Sequence, residues 1–160
     1  MRPEPSHRIN RQAIALWQIH GLIQTLFMTG AIASIALTLV LATGSPLWTT
    51  AFGILPITLY GILAILVFPR IRWRVWRYDL DEHELDLQHG LLVVHRTLVP
   101  LVRVQHVDTV QGPIAKLFHL SAVTVSTAAS THEIPALSDD VADELRDRIS
   151  AMARQAREQL

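Results

Sequence analysis

The chain has 160 residues, half of them hydrophobic, and a positive mean hydropathy of +0.30. It contains no cysteine, which excludes disulfides, thiol nucleophiles and cysteine-based zinc sites. The net charge of zero hides a split, because residues 1–78 carry seven arginines against one acid and residues 79–160 carry seven cations against thirteen acids; such asymmetry points to a membrane or polyanion beside the first half.

Arg2, Arg8 and Arg11 open the chain, and then no charged residue occurs from Gln12 to Pro69. A helix crossing the hydrocarbon core needs about 20 mostly apolar residues. Residues 21–42 (GLIQTLFMTGAIASIALTLVLA) and 47–68 (LWTTAFGILPITLYGILAILVF) each supply that length, and TGSPLW between them is a turn signal with Gly44 and Pro46. A cleaved signal peptide has an apolar core of only about 7–15 residues, and a soluble helical hairpin would show a polar face. Two membrane spans are the better reading. Gly30, Ala33 and Ser34 are small residues at near-helical spacing, a candidate face for close helix approach, and Pro56 interrupts the second span. Neither span carries an acid, Lys or Arg, and only His20 near a span end is ionisable. The hairpin therefore reads as an anchor and not a transport path.

Orientation follows the flanks. Arg2, Arg8 and Arg11 precede the hairpin, and Arg70, Arg72, Arg74 and Arg77 follow it. Positive residues stay on the cytoplasmic side, so both termini are expected in the cytoplasm and the turn outside. Trp17, Trp48, Trp73 and Trp76 lie near span ends, where indoles favour the headgroup region.

After the hairpin the pattern changes to period two. WRVWRYDL (73–80) is rich in strand formers, Asp81, Glu82 and His83 read as a hairpin turn, and ELDLQHG (84–90) puts Leu85 and Leu87 on one face with Glu84, Asp86 and Gln88 on the other. LLVVHRTLV (91–99) and LVRVQHVDTV (101–110) follow as strands, with Val102 and Val104 inward and Arg103 and Gln105 outward. Gly112-Pro113 breaks the chain, IAKLFHL (114–120) is one packed turn of helix, and AVTVSTAA (122–129) and THEIPAL (131–137) return to strand. Ser138 can cap a last helix, with Asp139 and Asp140 in its first turn and an apolar stripe at Val141, Leu145, Ile149, Met152, Ala156 and Leu160.

About five to seven strands followed by a closing helix is a pleckstrin-homology order, and particular residues carry the likeness further. WRYDLDEHELDLQHGLL (76–92), RTLVPLVRVQHVDTVQGPIAKLFHL (96–120), VTVSTAAS (123–130) and IPAL (134–137) resemble the YdbS-like, membrane-flanked family of bacterial pleckstrin-homology domains. The two-helix hairpin ahead of them matches that family's layout. The fold class expected is α+β: residues 1–72 form the N-terminal segment and transmembrane hairpin, and residues 73–160 a cytoplasmic pleckstrin-homology-like barrel or sandwich closed by a C-terminal helix. The resemblance implies residence in the bacterial inner membrane and association with another membrane protein carrying such domains. It implies no reaction.

A search for chemistry gives little. His83, His89, His95, His106, His119 and His132 lack the paired helical spacing of a metalloprotease. Asp79, Asp81, Glu82, Glu84 and Asp86 lack the glycine and spacing of a calcium loop and read as a solvated hairpin face. Ser121, Ser126 and Ser130 have no nucleophile-elbow setting. No cofactor, metal or nucleic-acid partner is expected. Phosphoinositide recognition through a basic first hairpin is disfavoured, since that hairpin is acidic. Two surfaces remain. Arg70, Arg72, Arg74 and Arg77 at the membrane exit can meet anionic lipid, each gaining about 1 kcal/mol, or can simply set topology. Arg103 and Gln105 side by side suit a partner's carboxylate or exposed backbone; the alternative is that Arg103 pairs with Asp108 or a carboxylate of the first hairpin. His106, Gly112 and Pro113 read as structural, with His106 holding the turn toward Gly112.

Overall fold

A charge-free run of this length has one economical solution in hydrocarbon, the helix, which satisfies every backbone group internally. The computed structural model, which describes residues 4–44, 46–91 and 93–158, forms α1 over Ala13–Thr43. A 3₁₀ turn at Leu47–Thr50 leads into α2 (Ala51–Ile62), a π-helical turn (Leu63–Val67) and α3 (Phe68–Val75). The last three run together as Ala51–Val75, and this helix and α1 are each long and apolar enough to span a membrane. Arg2, Ser45, Leu92 and Leu160, which entered the sequence reading, lie outside the described residues.

The second helix continues beyond its expected end, through Trp73 to Val75. The strand formers of WRVWRYDL suggested a strand from residue 73. Continuing an established helix adds one hydrogen bond per residue fixed and needs no new nucleus, so the strand starts only at Arg77.

Trp17–Arg70 forms one compact unit, and Met1–Leu16 with Ile71–Leu160 forms the other. In the first, three glycines set the helix approach. A Cβ at Gly61 would meet the Thr25 methyl at 2.5 Å, one at Gly21 the Ala64 carbonyl oxygen at 3.0 Å, and one at Gly53 the Ile32 side chain at 3.1 Å. The expected face does not serve this contact: a Cβ at Gly30 would meet nothing within 4 Å, and Ala33 and Ser34 are exposed. Gly30 lies nine residues after Gly21, about two and a half turns, and so points the opposite way.

The other unit contains two antiparallel sheets. β1 (His7–Arg8), β2 (Arg77–Leu80), β3 (Glu84–Gly90) and β4 (Val94–Pro100) pair in that order. A 3₁₀ turn, Leu101–Arg103, leads to β5 (Val104–Val110), which pairs with β6 (Leu120–Thr127), and β6 with β7 (Thr131–Ser138). Between β5 and β6 stands α4 (Pro113–Leu117), with Pro113 at its first turn, where the missing N–H costs nothing. Among the described residues no ladder joins β4 to β5, so the sheets remain separate and do not close into a barrel, one of the two expected arrangements.

The core is aliphatic. Leu85, Leu101, Leu120, Val123, Ile134 and Ile149 are fully buried. α5 (Asp139–Glu158) packs over β5, β6 and β7 and buries Ala142, Leu145, Ile149 and Ala153. The stripe is rotated from the expected one, since Val141 is exposed and the small Ala142 and Ala153 are buried with Leu145 and Ile149. Asp139 anchors the start of α5 by accepting hydrogen bonds from Ser121 Oγ at 2.6 Å and Gln111 Nε2 at 2.8 Å.

The amino-terminal segment belongs to this unit, although it precedes the membrane helices in sequence. β1 pairs His7 with Tyr78 and Arg8 with Arg77. Pro5, Ile9 and Ala13 are buried, and Asn10 N–H donates to the Ala136 carbonyl at 3.0 Å. Trp73 is recruited as well: its indole donates to the Ile9 carbonyl at 3.1 Å, and the Arg8 guanidinium lies 5.6 Å from its ring. Trp76 is only 4% exposed. Both indoles, expected at the lipid headgroups, thus pack in the β unit.

Candidate functional site

The strand carrying Arg103 and Gln105 departs from simple alternation. Leu101–Arg103 is a 3₁₀ turn, and a register shift follows between Val104 and His106 opposite Thr127 and Ser126. Such a bulge places two residues of one strand against one of its partner and bends the strand. Val104 stays buried, while Gln105 and His106 both reach the surface. His106 therefore does not hold the turn toward Gly112; it is exposed and its side chain makes no hydrogen bond to a described residue. Gln111 does the bridging, donating to the Leu120 carbonyl at 3.2 Å and to Asp139. Gly112 caps α4 in an extended conformation and Pro113 opens it.

Arg103 and Gln105 line one cleft of about 680 Å³. Leu98 and Pro100 from the end of β4, Val102 from the turn, His132 from β7 and Arg157 from α5 complete its character. A second groove of about 300 Å³ lies between Val104–Val107 and the α5 residues Ser150, Ala153, Arg154 and Arg157. The two share Val104, Gln105 and Arg157. No Asp or Glu lines either. Among the described residues Arg103, Arg154 and Arg157 form no ion pair, so Arg103 is not neutralised by Asp108 or by the first hairpin. Arg154 and Arg157 use only Nε, donating to their own helix's carbonyls at Ser150 and Ala153. Their terminal nitrogens stay uncommitted, so the surface can take an anion in the planar, forked manner of guanidinium.

The remaining titratable groups are mostly accounted for by structure. Asp86 is buried and accepts two hydrogen bonds of 3.0 Å from Arg96 Nε across the β3–β4 pair; that fork and the nearby Asp86 charge hold the Arg96 guanidinium above its ordinary pKa. Asp86 is thus withdrawn from the solvated hairpin face expected of it. The His89 ring lies tilted against those of Trp76 and His95, with centroids 5.7 and 5.8 Å away. Burial, then His95, His132 and Arg72, lower its pKa. Burial raises that of Tyr78, with Glu144 adding to it. No cluster of three metal-ligating side chains occurs among the described residues.

The four arginines at the membrane exit are divided. Arg70 donates to the Leu66 carbonyl within its own helix. Arg72 and Arg74 are exposed on α3. Arg77 lies on β2 and pairs with Glu4 at 2.8 Å.

The bacterial PH domain profile matches residues 19–153. The chain belongs to the bacterial PH domain family. It is 40% identical over 163 residues, 96% of each chain, to the UPF0699 transmembrane protein YdbS of Bacillus subtilis strain 168. It is 27% identical over 79 residues to the UPF0699 transmembrane protein YdbT of the same organism, a match covering 49% of this chain and 16% of that protein. No solved structure matches. The family is one of transmembrane PH-domain proteins, and the two apolar helices fit that membership.

Arg157 and His132 were not reached by sequence reasoning. They lie far from Arg103 in sequence and join it only through the packing of α5 and β7. The one available signal was charge: Arg154 and Arg157 end an otherwise acidic helix without nearby acids to pair with, apart from Glu158.

Proposed function

We propose that the protein is a membrane-anchored interaction module, and that its PH-like unit docks another membrane protein, one with PH-like domains of its own, through Arg103 and Gln105. The supporting observation is the cleft that both residues line: it is cationic, lacks any carboxylate, and has apolar walls at Leu98 and Val102. The match to part of the longer YdbT is consistent with such a partner. The unit lies in the cytoplasm at the inner membrane in this reading. Pairing of β1 with β2 supports a hairpin whose two ends emerge on the same side, and the flanking arginines favour the cytoplasmic side.

The test is recovery of a stoichiometric partner after mild detergent extraction from native membranes. Arg103→Ala with Gln105→Ala should keep the melting temperature and lose the partner. Undiminished recovery, or an unfolded double variant, removes the docking assignment. Topology is read separately from single cysteines at Thr43 and Glu82 in intact cells; labelling at Glu82 but not Thr43 by an impermeant reagent contradicts a cytoplasmic unit.

A second reading, a membrane-surface sensor for anionic lipid, draws on the exposed Arg72 and Arg74 of α3. Replacing Arg70, Arg72 and Arg74 with Gln should then change protease accessibility in anionic but not neutral nanodiscs, and more so at low salt. Equal behaviour in both bilayers leaves these arginines a topogenic role alone.

A further inference from the structure

We propose that the free edge of β5 receives an extended acidic segment of the partner protein as an added strand, laid between β5 and α5. This rests on the docking reading above and specifies how that contact is made.

Three observations converge. β5 is the end strand of its sheet, and among the described residues no backbone group from Gln105 to Val110 bonds outside the β5–β6 ladder, while the Val104 N–H closes the preceding turn onto the Leu101 carbonyl. Such an edge is a template for another chain unless something covers it. Beside it runs the groove of about 300 Å³, where Ser150 and Ala153 are small and leave room for an incoming backbone. Finally, the groove's charge is one-sided. Arg154 and Arg157 line it at the end of α5, Arg103 lines the adjoining cleft, and no carboxylate lines either. The carbonyls at a helix C-terminus repel an anion, and Arg154 and Arg157 oppose that field where the segment would pass.

The charges also set polarity. Farther along, β5 presents the exposed Asp108, and α5 presents Arg146 already paired with Asp143 and Asp147 at 2.8 Å. Acidic side chains of the added strand belong at the Arg103 end, and neutral or apolar ones beside Asp108. A lone phosphate or a headgroup would use the arginines but leave the backbone edge unpaired.

The experiment uses the full chain in neutral-lipid nanodiscs. Its probes are a synthetic peptide alternating Glu and Val, a Lys–Val counterpart, and the Glu–Val peptide with alternate amides N-methylated. The Glu–Val peptide should bind and slow amide exchange over Gln105–Thr109. N-methylation, exchange of Glu for Lys, and Arg154→Gln with Arg157→Gln should each weaken binding by roughly tenfold or more, the last without changing the melting temperature. No binding of the Glu–Val peptide, unprotected β5 amides, or equal binding of the N-methylated peptide would overturn strand addition. So would displacement of the peptide by inorganic phosphate or anionic vesicles that protect the same amides. If strand addition fails in these ways while Arg103→Ala with Gln105→Ala still loses the native partner, the docking reading stands and only its mode is wrong.

Discussion

Replacing Ile9 with Ala tests whether the amino-terminal segment is structural to the PH-like unit. Ile9 is 2% exposed and its carbonyl accepts the Trp73 indole. The substitution keeps the backbone bond and removes three carbons. Lost transfer free energy is about 0.8 kcal/mol per carbon, and the residual cavity brings the cost to about 3 kcal/mol. In a unit of about 100 residues, 1 kcal/mol shifts melting by about 4–8 °C, so a fall of about 12–24 °C is expected. A two-residue end strand can also detach locally, which would appear first as faster amide exchange over Arg77–Leu80, the strand that β1 covers. The assay is thermal melting with hydrogen exchange in nanodiscs, with the exposed Val94→Ala as a control within about 0.5 kcal/mol of the parent. A melting temperature within 2 °C of the parent (roughly half a kcal/mol at most), together with unchanged exchange over Arg77–Leu80, would refute the claim that this segment belongs to the core.

Lowered basicity of His89 makes stability pH-dependent. The unfolded chain takes up the proton near 6.5 and the folded chain only at lower pH, so stability is full above 6.5, falls as pH drops through the window between the two values, and is flat below it; His89→Phe should flatten the melting-temperature profile across that window. Arg96→Leu strands the buried Asp86 carboxylate and should lower melting, and adding Asp86→Leu should recover part of the loss, since two apolar residues leave no unpaired charge; a double variant no more stable than the single contradicts this. In the hairpin, Gly61→Val would push a side chain into Thr25, 2.5 Å from the first added atom, whereas Gly30→Val meets open space; only the former should lower hairpin stability in detergent titration, and equal effects would show that helix contact is set elsewhere.

Composition and periodicity alone carried the hairpin. Fifty-eight residues without charge admit no other stable arrangement in lipid. Local signals placed the Asp81–His83 turn, the Gly112-Pro113 helix start and α5, because each depends on residues close in sequence. Arg103 and Gln105 were also legible as surface residues. The reason behind them was incomplete: strict alternation turned His106 inward, and a bulge at Gln105 turns it out.

What only the tertiary structure decided involves partners distant along the chain. Ile9 meets Trp73 across the whole hairpin, a pairing no window of sequence can contain. The small-residue stripe of α1 does not form the helix-packing face, because Gly53 and Gly61 of the second helix approach Ile32 and Thr25 instead. Asp86 looked like one more solvated acid of an acidic hairpin until β4 placed Arg96 across from it. Arg157 and His132 reach the Arg103 cleft for the same reason: a side chain's neighbours are fixed by how elements pack, while sequence spacing fixes only the face on which it stands.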